Sequence, residues 1–222
     1  MKDIIERNRI EKTQELEDVV NILASSVGSL TNPSKILATF RSELHSQISL
    51  NTVRRYVEYL EDAFVISAAQ RYDVKGRKYV GSPLKYYFED VGLRNARLGF
   101  RQTEENHIME NVIYNELRSR GFVVDVGMVR KRERDAGGKQ LARQLEIDFV
   151  ANLGSRRYYV QSAFSLAGVE KTAQEKAPLN CLGDSFKKII VVKDVVNVTR
   201  DVNGITTMNV FDFLTKENSL EL

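Results

Sequence analysis

The chain is poor in the residues that build redox and metal chemistry. It has one cysteine, two histidines, three prolines and no tryptophan in 222 residues. With Cys181 alone, no internal disulfide forms and no cysteine-based zinc site assembles; a reducing cytoplasm is the compartment this fits. His45 and His107 stand apart, neither at metal-ligand spacing, so each is read as structural or solvated and no metal or other cofactor is expected. No apolar run approaches the ~20 residues of a membrane span, so a membrane partner is not expected. The opening MKDIIERNRIEKTQ is charged from the start and lacks the apolar stretch of a signal peptide. There is no internal repeat and no low-complexity tract. An excess of one charge is missing too: 33 basic and 30 acidic residues leave +3, a weak argument for nucleic acid by itself. No GxxxxGK[ST] loop occurs, so no ATP site is expected.

What is present is an ordinary globular composition, 42% hydrophobic and 28% charged, enough to bury a core in one large or two small domains. Leu16, Val19, Val20 and Leu23 repeat at helical spacing after Thr13, which is read as an N-cap. Asn32-Pro33 opens a second helix, with Asn as cap, Pro at the first helical position and Ile36, Leu37 and Phe40 on the apolar face. Ser49 caps a third, striped by Val53, Tyr56, Val57, Leu60 and Phe64. Three short helices in about fifty residues predict a helix-turn-helix. Strands over Val65–Tyr72 and Arg77–Val80, turning at Lys75-Gly76, add a basic wing. KYYFEDVGLRNARLGF reads as a strand entering a short helix that connects two domains.

The second half starts with a helix over about Glu104–Arg120, stopped by Gly121. Strands follow at Phe122–Val129, Glu146–Asn152 and Tyr158–Phe164. Then come a helix at Val169–Leu179, a strand at Lys188–Val192, a strand at Thr206–Val210 and a helix at Phe211–Lys216. Arg130–Arg143 carries six basic and two acidic residues around Gly137-Gly138 and is expected to be a solvated basic loop, with phosphate contact as the alternative. The expected fold class is α+β: a winged helix-turn-helix over residues 1–95, then a PD-(D/E)xK nuclease-like mixed sheet flanked by helices over residues 96–222.

In such nucleases carboxylates from the first helix and central strands hold Mg²⁺, and a lysine two residues past the last acid helps activate water. Glu110 in ENVIYNELRSRGF, Asp148 in EIDFV and Gln161 in YYVQSAF fall at the matching positions. The lysine does not: Gln161-Ser162-Ala163 ends in alanine, which cannot polarise water, and an amide is a poorer Mg²⁺ ligand than a carboxylate. Lys171 on the next helix is the one candidate to reach back. The plain alternatives are an ordinary helix acid at Glu110, Asp148 and Glu146 pairing with Arg143 or Arg156, and Gln161 satisfying a neighbour. The reading is therefore an inactive remnant site, Glu110, Asp148 and Gln161, with no catalytic residue. On the third helix Asn51, Arg54 and Arg55 are the types that read bases or phosphates, and the wing adds Lys75, Arg77 and Lys78. Glu58, Glu61 and Asp62 on the same helix oppose DNA, and winged helices also dock proteins. Any duplex binding is expected to be weak and salt-sensitive.

These segments resemble the C-terminal region of a large group of prokaryotic AAA-type ATPases, a region of unknown function. DIIERNRI is similar to the junction after the ATPase lid, SLNTVRRYVEYLEDAFVISAAQRYDVKGRK to the winged helix, and ENVIYNELRSRGFVV, EIDFVA and YYVQSAFSL to the second domain. In that group a Gln-x-small motif commonly replaces acid-x-Lys, which implies an inactive site here. Met1 directly before a mid-family segment implies a shortened chain or a split gene. The resemblance implies a non-catalytic recognition module that positions an ATPase, its own or a partner's, on DNA or protein. A metal-dependent nuclease with a rearranged site, and a structural oligomerisation or regulatory domain, remain the alternatives.

Overall fold

The computed structural model describes residues 1–101, 104–134, 140–194 and 196–222, with backbone alone at 132–134 and 140. The described chain is α+β, with eight α-helices and an eight-stranded mixed sheet. It forms two compact units, Met1–Ala69 with Gly81–Asn111, and Gln70–Val80 with Val112–Leu222. The sequence suggested one division, at 95/96. The structure divides differently because two elements run through both units: the tip of the first hairpin counts with unit 2, and the first half of the long helix counts with unit 1.

Unit 1 gathers α1 (Lys2–Asn8), α2 (Thr13–Ser25), α3 (Pro33–Ser42), α4 (Leu50–Asp62) and α5 (Val91–Arg97). It also holds the start of β1 (Ile66–Asp73), the end of β2 (Lys78–Phe88) and the start of α6 (Glu105–Ser119). The expected caps form at two of three starts. Asn32 accepts from the Lys35 amide at 2.8 Å ahead of Pro33, and Ser49 accepts from the Thr52 amide at 3.1 Å. At α2 the expectation is corrected: Thr13 is already helical, and Lys12 holds the cap position with no side-chain cap bond. The apolar faces of α2, α3 and α4 are buried as their spacing predicts, save Phe64, which is 75% exposed beyond the end of α4. α1 was not read, since seven mostly charged residues carry too little periodicity.

The stretch 85–100 forms the strand end and short helix that its sequence predicts, and part of it is packed into unit 1, though Leu93 and Phe100 are exposed. Tyr86, Tyr87 and Phe88 are buried at the end of β2, and Arg94 on α5 is 1% exposed. The Arg94 Nε donates to the Ala24 carbonyl at the end of α2 at 2.8 Å, satisfying a helix-end acceptor. Asn111 gives β2 a partner: its Oδ1 accepts from the Phe88 amide at 2.9 Å and its Nδ2 donates to the Phe88 carbonyl at 2.8 Å.

In unit 2 the strand order runs outward from the hairpin tip as β2-β1-β3-β4-β5-β6-β8-β7. β1 pairs parallel with β3 (Val123–Arg134), and β3, β4 (Gln140–Leu153) and β5 (Arg156–Ala163) are antiparallel. After α7 (Val169–Asn180), β6 (Lys187–Val192) pairs parallel with β5 and with β8 (Ile205–Asn209). β8 carries the short β7 (Thr199–Arg200) at the edge and leads into α8 (Val210–Thr215). The expected basic loop is corrected on both flanks. The β3–β4 ladder continues to Arg134↔Gln140, so Arg130 and Arg143 lie in paired strands, while Gly137-Gly138 falls outside the described residues. Alternating charge on a two-stranded ribbon reads like a loop when its pairing is unknown. α8 is fixed to the end of α6 by Arg120, which donates to the Phe213 carbonyl at 2.6 Å and the Ser219 hydroxyl at 2.7 Å and lies 5.1 Å over the Phe213 ring.

Two stability predictions follow from this packing. Asn111→Ala strands a buried donor and acceptor at Phe88, and we expect a loss of about 2–4 kcal/mol in denaturant unfolding; a change below about 0.5 kcal/mol would show the strand end to be satisfied otherwise. Arg120→Ala removes a clamp of two charged hydrogen bonds, and we expect about 2–3 kcal/mol, with hydrogen exchange in α8 rising ahead of exchange in β5.

Candidate functional site

The exposed face of α4 carries Asn51, Arg54 and Arg55, followed by Glu58 and Asp62. The spacing that buries Val53, Tyr56, Val57 and Leu60 puts both charge signs on the opposite side. Arg55 is turned onto its own helix: Nη2 donates to the Tyr59 hydroxyl at 2.8 Å and the guanidinium stands 5.8 Å from that ring's centre. Arg54 and Asn51 point outward from the first turn. Burial pushes the Glu61 carboxyl up, and Asp62 and Glu58 add to it. The second half of the helix is therefore a negative neighbourhood.

Glu110 is buried in unit 1. Its Oε1 accepts from Lys85 Nζ at 2.9 Å and from the Tyr87 hydroxyl at 2.6 Å. Lys85 and Tyr87 are two apart on β2 and so share a face, and the first half of α6 brings the carboxylate to both. Gly28, at φ +71°, passes so close that a Cβ there would lie 3.3 Å from Glu110 Oε1. The acid read from the sequence as part of an inactive remnant is held by a cation and a phenol.

Asp148 and Gln161 do come together in unit 2, across the β4–β5 pair. The Asp148 Oδ2 accepts from the Ser162 amide at 2.8 Å, and Gln161 Oε1 accepts from the Asp148 amide at 3.4 Å. The other end of Gln161 donates to Glu175 Oε2 on α7 at 3.3 Å, and Glu175 Oε1 pairs with Lys171 at 2.7 Å. Lys171 thus reaches toward the remnant site, but through Glu175. Ala163, two residues past Gln161 where the pattern of PD-(D/E)xK nucleases would place a lysine, is 1% exposed. Sequence reasoning missed Glu175, although a lysine and a glutamate four apart on the helix after the key strand were legible as a pair. The result is a Gln161 side chain that joins the Asp148 backbone amide to the Glu175 carboxylate, with the Asp148 carboxylate held by the Ser162 amide and Glu175 paired with Lys171. Among the described residues, no group of three or more His, Cys, Asp or Glu side chains is placed to hold a metal ion. Among the described residues, no helix is long and apolar enough to cross a membrane.

The hairpin turn forms where expected. The Asp73 carboxylate accepts from the Gly76 amide at 2.9 Å, and a Cβ at 76 would lie 2.7 Å from Asp73 Oδ2, so a side chain there would displace that carboxylate. Lys75, Arg77 and Lys78 are all exposed. Lys75 and Arg77 line a cleft of about 650 Å³ within unit 2, together with Tyr72, Arg157 and Phe186.

Residues 1–104 match the family described as a domain of unknown function (DUF8612). The chain is 33% identical over 214 residues to an uncharacterized protein of Haemophilus influenzae, covering 96% of this chain and 49% of that protein. It is 27% identical over 176 residues to the uncharacterized protein MJ1544 of Methanocaldococcus jannaschii, covering 79% of this chain and 36% of that one. The chain therefore spans half or less of the curated relatives it matches. No solved structure matches it.

Proposed function

We propose that the chain is a non-catalytic recognition module in which a winged helix, α2–α4 with the β1–β2 hairpin, is followed in sequence by a PD-(D/E)xK nuclease-like domain whose site is closed. The observation that carries the reading is the engagement of Asp148 and Gln161 by Ser162, Glu175 and each other, with Ala163 buried where a catalytic lysine belongs. The strand order supports the fold assignment: antiparallel β3-β4-β5, then α7, then β6 parallel to β5. The relatives reach well beyond the matched stretch, which leaves length for an ATPase domain in them. The partner of this chain is then an ATPase domain, in cis or in trans, and its target is duplex DNA or a protein.

The rival, a metal-dependent nuclease with a rearranged site, draws on Glu175 as a second acid near Asp148. Incubating the purified chain with plasmid and linear DNA in Mg²⁺ or Mn²⁺ separates the two. We expect no cleavage; cleavage abolished by Asp148→Ala establishes the nuclease. For the winged helix, we expect weak duplex binding with a log–log salt slope of about −3 to −4, as for three to five neutralised phosphates. Arg54→Glu/Arg55→Glu should remove it. Unchanged binding in that variant moves the duplex surface elsewhere, and no binding even at low salt favours a protein target.

A further inference from the structure

The cleft at the hairpin tip adjoins a second one of about 410 Å³. Both lie within unit 2 and share Asp184 and Phe186 as lining residues. Lys75, Arg77 and Arg157 stand in the first, and Lys187, Lys188 and Arg200 in the second. Arg156 also borders the first, but its guanidinium lies over the Phe122 ring at 5.7 Å and is not counted here. The one acid, Asp184, is already engaged: its Oδ2 accepts from the Tyr159 hydroxyl at 2.6 Å and its Oδ1 from the Phe186 amide at 3.3 Å. Burial pushes the Tyr159 hydroxyl up, so it stays a donor to that carboxylate. Asp184 thus braces the Phe186 loop.

Arg157 is held in place. Its Nε donates to Asn152 Oδ1 at 2.7 Å, and its guanidinium lies 5.3 Å from the Tyr72 ring centre and 5.4 Å from that of Phe186. A guanidinium set between two rings is preorganised for a phosphate and loses little freedom on binding one. In the second cleft burial holds the Lys187 ammonium below the usual lysine range, and Arg200 adds to this against the opposing pull of Glu221. Lys187 Nζ already donates to the Leu222 carbonyl oxygen, so Lys188 and Arg200 are the cations of the second cleft that a phosphate would meet. Phe186 is 39% exposed at the boundary of the two clefts.

We propose that these joined clefts form a binding track for single-stranded nucleic acid, with backbone phosphates on the two cation groups and a base stacked at Phe186. The continuity of the two clefts favours a strand over a single nucleotide. A positive groove with an aromatic platform is the arrangement that binds single strands without reading sequence. The track is built from residues of unit 2 alone and uses none of α4, so it stands whether or not that helix binds duplex.

The test is fluorescence anisotropy of the full chain with a labelled oligothymidylate about a dozen nucleotides long, from low to physiological salt. Wild type should bind at low salt with a slope of about −2 to −3, as for three or four phosphates on a single strand. Phe186→Ala should weaken binding at least about fivefold and Phe186→Tyr should restore it. Lys188→Glu/Arg200→Glu should weaken it about tenfold or more, with an unchanged circular dichroism spectrum. Arg54→Glu/Arg55→Glu should bind the strand as wild type does. The proposal is overturned by no binding at low salt, by folded cleft variants that bind like wild type, by loss of strand binding in the α4 variant, or by a duplex that competes as well as the strand.

Discussion

A carboxylate buried away from water must be matched by a cation or by donors, because its desolvation costs several kcal/mol. Glu110, Asp148 and Gln161 are all under 10% exposed, and each is engaged by a partner within its own unit. Glu110 leans on Lys85 and Tyr87, and through them ties α6 to the end of β2. Asp148 takes the Ser162 amide and so links the β4–β5 pair away from its regular ladder. Removing one partner of the Lys85–Glu110 pair leaves an uncompensated charge, a cost of about 3–5 kcal/mol. These groups hold the local architecture of their own units.

Local chemistry was the most legible part of the sequence. Asn32-Pro33, Ser49 and Lys75-Gly76 announce a helix start or a turn within a few residues, and each forms where it was read. The apolar stripes of α2, α3 and α4 declare their buried faces for the same reason. Long-range pairing was not legible. Nothing near Glu110 points to a lysine 25 positions earlier, and nothing in Arg130–Arg143 says that its charges ride on paired strands. Lys12 at the start of α2 marks the opposite limit: the better cap former, Thr13, lies one residue inside the helix, and position by position such boundaries shift easily. The lysine missing at Ala163 was visible in the sequence; the replacement contact from Glu175 needed the fold.

The hairpin tip shows how unit membership changes the meaning of a charge. Read along the chain, Lys75, Arg77 and Lys78 extend the basic start of α4 into one surface. In the structure the tip counts with unit 2, because β1 pairs parallel with β3 from Arg71↔Val126 to Asp73↔Met128. Parallel pairing of strands so far apart in sequence leaves no local signature, since no tight turn joins them. The cations at the tip therefore find their lining partners on β5 and on the loop before β6, Arg157 and Phe186 among them.

Charge balance then separates the surfaces by what they suit. On α4, Arg54 and Arg55 share their exposed stripe with Glu58 and Asp62, so a phosphate approaching the first turn meets repulsion from the second half of the helix. One of the two arginines is also committed to Tyr59. Among the described residues that line the joined clefts, the one acid is tied to Tyr159 and the Phe186 amide, and the guanidinium of Arg157 is fixed between rings. Attraction for an anion scales with cations that are both uncompensated and already placed, because neither ion-pair breaking nor side-chain ordering is then deducted from binding. By that measure the clefts of unit 2 offer an anion more than the exposed face of α4 does, where Glu58 and Asp62 oppose the two arginines.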